Sequence, residues 1–284
     1  MNRLVSILKL TRIEHSIMLV IAVVAAEALA RGVPGIGMLL LSLVAPIFVS
    51  MSAFAINDYF DVHVDRLNRK RRPIVTGELS RSEAKYIAIA SAAIGIASTV
   101  LINAYCFAIA LVFALLAFLY SYRLKEVVLV GNAYVAFSMA IPFIYGSYVV
   151  SSAFGPGVAL ITAMVFLSGL GREVQGTIRD YRGDIRVRRA NTLPRLIGNR
   201  GSAVFALALY AIAIVISVYL FLDVAPFTHS LLYAFLITIS DLLLAWTAAG
   251  YLRHGSSSFY SIARNVSLSA MLIALIAFLI VALA

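Results

Sequence analysis

Ala53-Phe54-Ala55-Ile56-Asn57-Asp58-Tyr59-Phe60-Asp61-Val62-His63-Val64-Asp65 is where a long apolar run turns acidic. The run before it, Met38–Ile56, carries no charged residue. It is long enough to cross a hydrocarbon core as a helix. The aspartates that end it are three of the seven in the chain, spaced i, i+3 and i+7. If the helix continues through them, all three project on one face with Asn57 beside them. Acids gathered at the end of a membrane-grade segment are costly to keep and mark a functional site by default.

The rest of the chain agrees with a membrane reading. Of 284 residues, 62% are apolar and 13% charged, against about 25% charged in soluble domains. Mean hydropathy is +0.98. Apolar runs near 20 residues favour helices over a barrel, so the expected fold class is an all-α integral membrane protein. Nine spans are expected, near 13–30, 38–56, 84–103, 105–121, 127–150, 158–171, 203–222, 230–252 and 262–284. An amphipathic lead-in over residues 1–12 is expected to lie at the interface. With the N-terminus inside, 22 of the 23 Lys and Arg fall in segments 1–12, 57–85, 122–126, 172–200 and 253–264, and Arg31 falls outside. That asymmetry supports a cytoplasmic N-terminus and chemistry on the cytoplasmic face of the cell membrane. The formal net charge of +10 resides in short loops, which excludes nucleic acid as the expected partner and fits topology and phosphate binding instead. Cys106 is the single cysteine, so disulfide frameworks and Cys-based metal sites are excluded.

A second polar island follows at Asp180-Tyr181-Arg182-Gly183-Asp184, whose acids are i, i+4. The loops 57–83 and 172–200 both read acids, then arginines, then a Pro-x-x-x-Gly turn, Pro73–Gly77 and Pro194–Gly198. This pattern suggests an internal duplication within one domain covering residues 1–284. Carboxylates aimed at one place repel unless a cation lies between them. Mg²⁺ is the natural one, being hard and partial to oxygen ligands and phosphates. The alternative is pairing of the acids with Arg66, Arg69, Arg179 and Arg182 at the membrane surface. Arg71, Arg72, Lys125, Arg172, Arg179 and Arg189 fall on the same face, and carboxylate, Mg²⁺ and basic side chains together suit a departing diphosphate. With apolar spans above, the implied ligand is a lipid diphosphate. His63 falls on the face away from the aspartates and is expected at the surface. Asp241 is expected to bridge helices, Glu173 to pair with Arg172, and Pro142 with Gly146 to kink their span.

These residues resemble the UbiA-type intramembrane prenyltransferases. The resemblance is carried by Asn57-Asp58-x-x-Asp61-x-x-x-Asp65, Arg72-Pro73 and Gly77. It continues through Tyr120-Ser121, Leu124-Lys125, Gly131-Asn132, Asp180-x-x-Gly183-Asp184 and Thr192-Leu193-Pro194. It implies nine helices around a central cavity and Mg²⁺-dependent transfer of a prenyl group from its diphosphate. Asn57, Asp58, Asp61 and Asp65 would hold one metal and Asp180 and Asp184 another, with Lys125, Arg72 and Arg172 neutralising the diphosphate. Asn132 and Tyr120 would contact substrate. Tyr120, Tyr122, Tyr134 and Tyr145 are candidates for facing an allylic cation or for plain packing. Arg12, with His15, would meet an acceptor phosphate or anchor the chain at the interface. The short gap from Asp65 to Arg72-Pro73 resembles members that add a second geranylgeranyl chain to geranylgeranylglyceryl phosphate in ether-lipid synthesis. An aromatic acceptor, such as 4-hydroxybenzoate or a quinone precursor, is the alternative. One departure is plain: such members often carry Lys-Asp where this chain has Gly176-Thr177, and acids where it has Arg179 and Arg182. A transporter is the rival from another class, although its charges would lie near the midplane rather than at one face.

Overall fold

In lipid an apolar run of about 20 residues satisfies its backbone as a helix. A computed structural model describes residues 3–30, 32–68, 70–153, 155–187, 192–253 and 256–284, without the side chains of Glu14 and of residues 182–187. Among the described residues there is no strand. The helices are α1 (Arg3–Thr11), α2 (Ile13–Ala30), α3 (Ile36–Leu67), α4 (Arg81–Val100), α5 (Ala104–Tyr122), α6 (Val130–Val150), α7 (Pro156–Val187), α8 (Leu193–Asp223), α9 (Leu231–Arg253) and α10 (Ser257–Leu283). Eight of them, α3 to α10, are long and apolar enough to cross a membrane. The pair Arg3–Thr11 and His15–Ala30, bent by 56°, raises the number to as many as nine.

Local chemistry sets several boundaries. Ser80 opens α4 with a reciprocal cap: its hydroxyl accepts from Glu83 N at 3.1 Å, and its own N–H donates to the Glu83 carboxylate at 2.7 Å. Asn103 opens α5, its side-chain oxygen accepting from Cys106 N at 2.8 Å. Hydropathy ends the second span at Ile56 and the sixth at Gly171, yet α3 and α7 each run for 32 residues. At 1.5 Å per residue that is about 48 Å, well beyond a hydrocarbon core of about 30 Å. The excess carries the acids of both islands out to one end of the bundle.

The helices close a ring in which α2 meets α3, α3 meets α5, α5 meets α6, and so on through α7, α8, α9 and α10 back to α2. The fourth helix lies outside, against α3 and α5. Close approach needs small residues, and at Gly146 of α6 a Cβ would stand 2.5 Å from the Val23 carbonyl of α2. Large apolar side chains such as Ile89, Val112, Val215 and Phe235 are exposed on outward faces, as lipid contact requires. Inside the ring is a cavity of about 510 Å³, lined by α2, α3 and α5 to α10. At the end remote from the aspartates, the fully buried rings of Phe143, Phe227, Tyr233 and Phe278 pack with centroids 5.0–6.3 Å apart. Phe143 and Phe278 line the cavity there, with Phe227 and Tyr233 packed behind them.

Candidate active site

The acidic face of α3 is turned inward. Asp58, Asp61 and Asp65 are 1%, 6% and 2% exposed, and each meets a cation brought from a different segment. Arg12 Nη2 lies 2.9 Å from Asp58 Oδ1, Lys125 Nζ 2.5 Å from Asp61 Oδ1, and Lys70 Nζ 2.9 Å from Asp65 Oδ1. The Arg72 Nε stands between two acids, 4.0 Å from Asp58 Oδ2 and 3.9 Å from Asp65 Oδ2.

Each cation is placed by its own local fold. Arg12 adopts φ +47° at the break between α1 and α2, and its guanidinium lies 4.6 Å from the centre of the Phe54 ring. Burial lowers the Arg12 pKa from its ordinary value and Asp58 works against that fall; a guanidinium stays charged at neutral pH regardless. The loop after α3 folds back under the bundle. Ile74 and Leu79 are buried against Leu10, Ala55, Ala84 and Ala88, and Thr76 N donates to the Arg72 carbonyl at 2.9 Å. Lys125 sits on the short 3₁₀ turn Leu124–Glu126. A Cβ on Gly131 would stand 2.9 Å from Lys125 Cα, so glycine is what lets the start of α6 lie against that turn.

The mouth of the chamber is a second, polar cavity of about 400 Å³. Tyr120, Val135, Arg172, Glu173 and Arg264 line both cavities, which makes them the junction. The Tyr120 ring stacks on Tyr134 with centroids 4.6 Å apart. Arg172 Nη1 donates to Glu173 Oε1 at 2.9 Å, as the sequence led us to expect. Arg179 donates twice to Asp180, at 2.7 Å each.

Of the residues singled out from sequence, Arg12 and Asn57 line the chamber, and Lys125, Asn132 and Asp180 line the mouth. Tyr120 and Arg172 line both. Asp58, Asp61 and Asp65 lie beneath their cations. The Asp184 and Arg182 side chains, and Arg189, lie outside the described residues. His63, Arg71 and Tyr122 are exposed. The Tyr145 hydroxyl donates to the Ser42 carbonyl at 3.0 Å, a packing role. Asp241 accepts from Ser217 Oγ at 2.6 Å and so ties α9 to α8. Arg264 was visible in sequence as an inside charge, but nothing in hydropathy says that it faces the junction. Thr192, from the Thr192-Leu193-Pro194 motif, and Gln175 also line the mouth; Gln175 carries no charge to draw attention.

A divalent ion fits this donor set in part. Asp58 Oδ2 is a buried carboxylate oxygen with no hydrogen-bond partner, of the kind a hard cation takes. Among the described residues no three His, Cys, Asp or Glu side chains are gathered closely enough to hold a metal. Arg12, Lys70 and Lys125 already meet oxygens of the three aspartates.

An apolar chamber, floored by aromatic rings and opening through a charged mouth backed by buried carboxylates, is the layout of a membrane-embedded enzyme that works on a lipid's head. Comparison with known proteins defines it further. The model of the UbiA prenyltransferase family matches residues 18–259, and the chain belongs to that family: it is a membrane prenyltransferase. Membership decides between the enzyme and the transporter. The chain is 37% identical over 241 residues to the digeranylgeranylglyceryl phosphate synthase of Archaeoglobus fulgidus, covering 84% of this chain and 82% of that one. It is 38% identical over 208 residues to the synthase of that name from Methanoregula boonei, covering 73% and 74%. A solved structure described as a digeranylgeranylglyceryl phosphate synthase in membranes superposes with a TM-score of 0.81 at 26% identity, covering 100% of this chain and 99% of that one. A UbiA homologue from A. fulgidus bound to GPP and Mg²⁺ shares the fold, with a TM-score of 0.66 at 19% identity over 96% and 99% of the two chains.

Proposed function

We propose that this enzyme transfers a geranylgeranyl group from its diphosphate to the glycerol hydroxyl of geranylgeranylglyceryl phosphate. The reaction belongs to ether-lipid biosynthesis and depends on Mg²⁺. In this reading the chain spans the cell membrane nine times, its N-terminus and mouth face the cytoplasm, and it works as one domain. Relatives named for that reaction support the substrates. The observation that carries the reading is the wall of three buried aspartates on α3, each met by a cation from a separate segment, at the mouth of a chamber sized for hydrocarbon.

The reaction breaks the allylic C–O bond of the donor, and the electron pair leaves on the diphosphate. The acceptor oxygen forms the new C–O bond, and its proton leaves with the released diphosphate. Asn57, Asp58, Asp61 and Asp65 on one wall and Asp180 and Asp184 on the other would hold Mg²⁺, which neutralises the leaving diphosphate. Arg72 and Lys125 add positive charge beside the α3 wall, preorganised by the loop and the 3₁₀ turn that hold them. Arg172 and Asn132 bind substrate at the mouth, and Arg12 fixes Asp58. The stacked Tyr120 and Tyr134 rings at the junction present π faces where the allylic cation forms. The apolar chamber keeps water from that cation.

The test uses detergent-purified protein with Mg²⁺ and geranylgeranyl diphosphate, offered geranylgeranylglyceryl phosphate or 4-hydroxybenzoate. The expected product is the doubly prenylated glyceryl phosphate, lost in Asp61→Ala and on chelation. Prenylation of the aromatic acceptor alone would overturn the acceptor assignment. Full activity in Asp61→Ala would overturn the site.

A further inference from the structure

Three buried hydrogen-bonding atoms on residues of the mouth have no partner: Arg172 Nε, Gln175 Nε2 and Thr192 Oγ1. All three residues line the 400 Å³ cavity. Gln175 and Thr192 are 3% and 8% exposed. Arg172 and Gln175 are three apart on α7 and share a face. Thr192 precedes α8, which packs along α7. A threonine in that position ordinarily accepts from the first turn through its hydroxyl, but this one makes no such bond. Arg195 N donates instead to the Thr192 carbonyl at 3.0 Å, and the hydroxyl is left over. Gln175 is oriented from its other end, where Oε1 accepts from the Tyr210 hydroxyl at 3.2 Å. That bond leaves its NH₂ as the free end.

A buried donor without an acceptor costs about 1–3 kcal/mol. Three on one wall are the complement of a group that offers several acceptor oxygens. Charge points the same way. Lys70, Lys125, Arg172, Arg179 and Arg264 line the mouth with Glu173 and Asp180. Lys70 and Lys125 meet Asp65 and Asp61, Arg172 and Arg179 meet Glu173 and Asp180, and Arg264 adds a further positive charge at the junction. An anion is favoured there, and a phosphate monoester supplies both the charge and the oxygens. A carboxylate acceptor such as 4-hydroxybenzoate brings a single charge and a pair of oxygens, fewer than the roughly 1.5–2 charges and three acceptor oxygens of a phosphate monoester.

We infer that Arg172, Gln175 and Thr192 form a subsite for the phosphate monoester of the acceptor lipid, separate from the diphosphate wall. This rests on the proposed transfer to a glyceryl phosphate. The donor's diphosphate has its own complement in the α3 wall, with Arg72 and Lys125, and on α7 further along the helix at Asp180 and Asp184, beyond Gln175. The subsite holds the acceptor by its phosphate at the junction, where its hydroxyl can meet the chamber.

The experiment measures initial rates of the full chain in detergent, with donor and acceptor titrated separately, for Thr192→Val and Gln175→Glu. Thr192→Val keeps the shape and removes the hydroxyl. Gln175→Glu keeps the acceptor for Tyr210 and puts a negative oxygen against the phosphate. Each is expected to raise the KM for geranylgeranylglyceryl phosphate about tenfold or more, the worth of one hydrogen bond to a charged group, and to leave the KM for geranylgeranyl diphosphate unchanged. With phosphate-free geranylgeranylglycerol, the wild type is expected to react poorly and the variants no worse. A rise in the donor KM alone would assign these groups to the donor's terminal phosphate and overturn the inference, as would no change in either KM. If Gln175→Glu fails to fold, Thr192→Val carries the test. Failure of the wild type to use the phosphate acceptor at all would sink the proposed function itself, an outcome distinct from a variant that leaves KM untouched.

Discussion

Replacing Lys125 by Met removes the ammonium from Asp61 while keeping most of the side chain's length. The two groups are 2.5 Å apart and only 10% and 9% exposed. At an effective dielectric of about 20, opposite charges at that distance attract by about 6–7 kcal/mol, and the cost of desolvating them offsets most of this. The pair is therefore worth little net. Breaking it is another matter, because Asp61 is left charged and buried, at a cost of about 3–5 kcal/mol. Lys125→Met should lower the unfolding midpoint in detergent sharply and cut kcat by about 10²–10³, the usual loss on removing one preorganised charge. The double variant Lys125→Met with Asp61→Asn removes both charges together. It should regain most of the lost thermal stability and none of the activity. Unfolding by intrinsic fluorescence, with product formation on the same samples, reads both. If the double variant is as unstable as the sum of the singles, or if Lys125→Met keeps near-wild-type kcat, the electrostatic account of this wall is wrong.

Three further outcomes are expected. Gly131→Ala places a methyl 2.9 Å from Lys125 Cα; overpacking of this kind costs about 1–3 kcal/mol and should move Lys125, so kcat falls while the KM for acceptor holds. Ser217→Ala breaks the 2.6 Å bond to Asp241 and should lower stability by about 1–3 kcal/mol, measured as a drop in unfolding midpoint with transfer activity retained. Chelation of divalent ions should abolish transfer and added Mg²⁺ should restore it, with a parallel loss and recovery of geranylgeranyl diphosphate binding in a filter assay.

The acidic face of α3 was legible because helical periodicity is local. Spacings of i, i+3 and i+7 put Asp58, Asp61 and Asp65 together whatever surrounds them. Their partners were not legible in the same way. Lys125 reaches Asp61 across 64 positions, through a 3₁₀ turn, a left-handed Leu129 at φ +62° and a glycine contact, none of which leaves a periodic signal. Arg12 was read as either a phosphate contact or an interfacial anchor, and it pairs with Asp58 because the chain breaks just there. Hydropathy placed the spans of α3 to α10 but not the helix ends. It stops α7 at Gly171 because residues 172–187 are polar, while the backbone, meeting no proline, continues to Val187. Thr192 stands in a quoted motif and Arg264 among the inside charges, but that both face one mouth is not local information, since only the ring of helices brings their separate stretches together.

The aromatic floor bears on something other than catalysis. Phe143 and Phe278 line the far end of the chamber, backed by Phe227 and Tyr233, and all four are at most 1% exposed. A hydrophobic constriction of this kind sheds water, and ions do not pass where water does not. The chain can thus keep a charged, solvated mouth and a large internal space while remaining electrically insulating. A membrane prenyltransferase built this way need not leak ions across the membrane it spans.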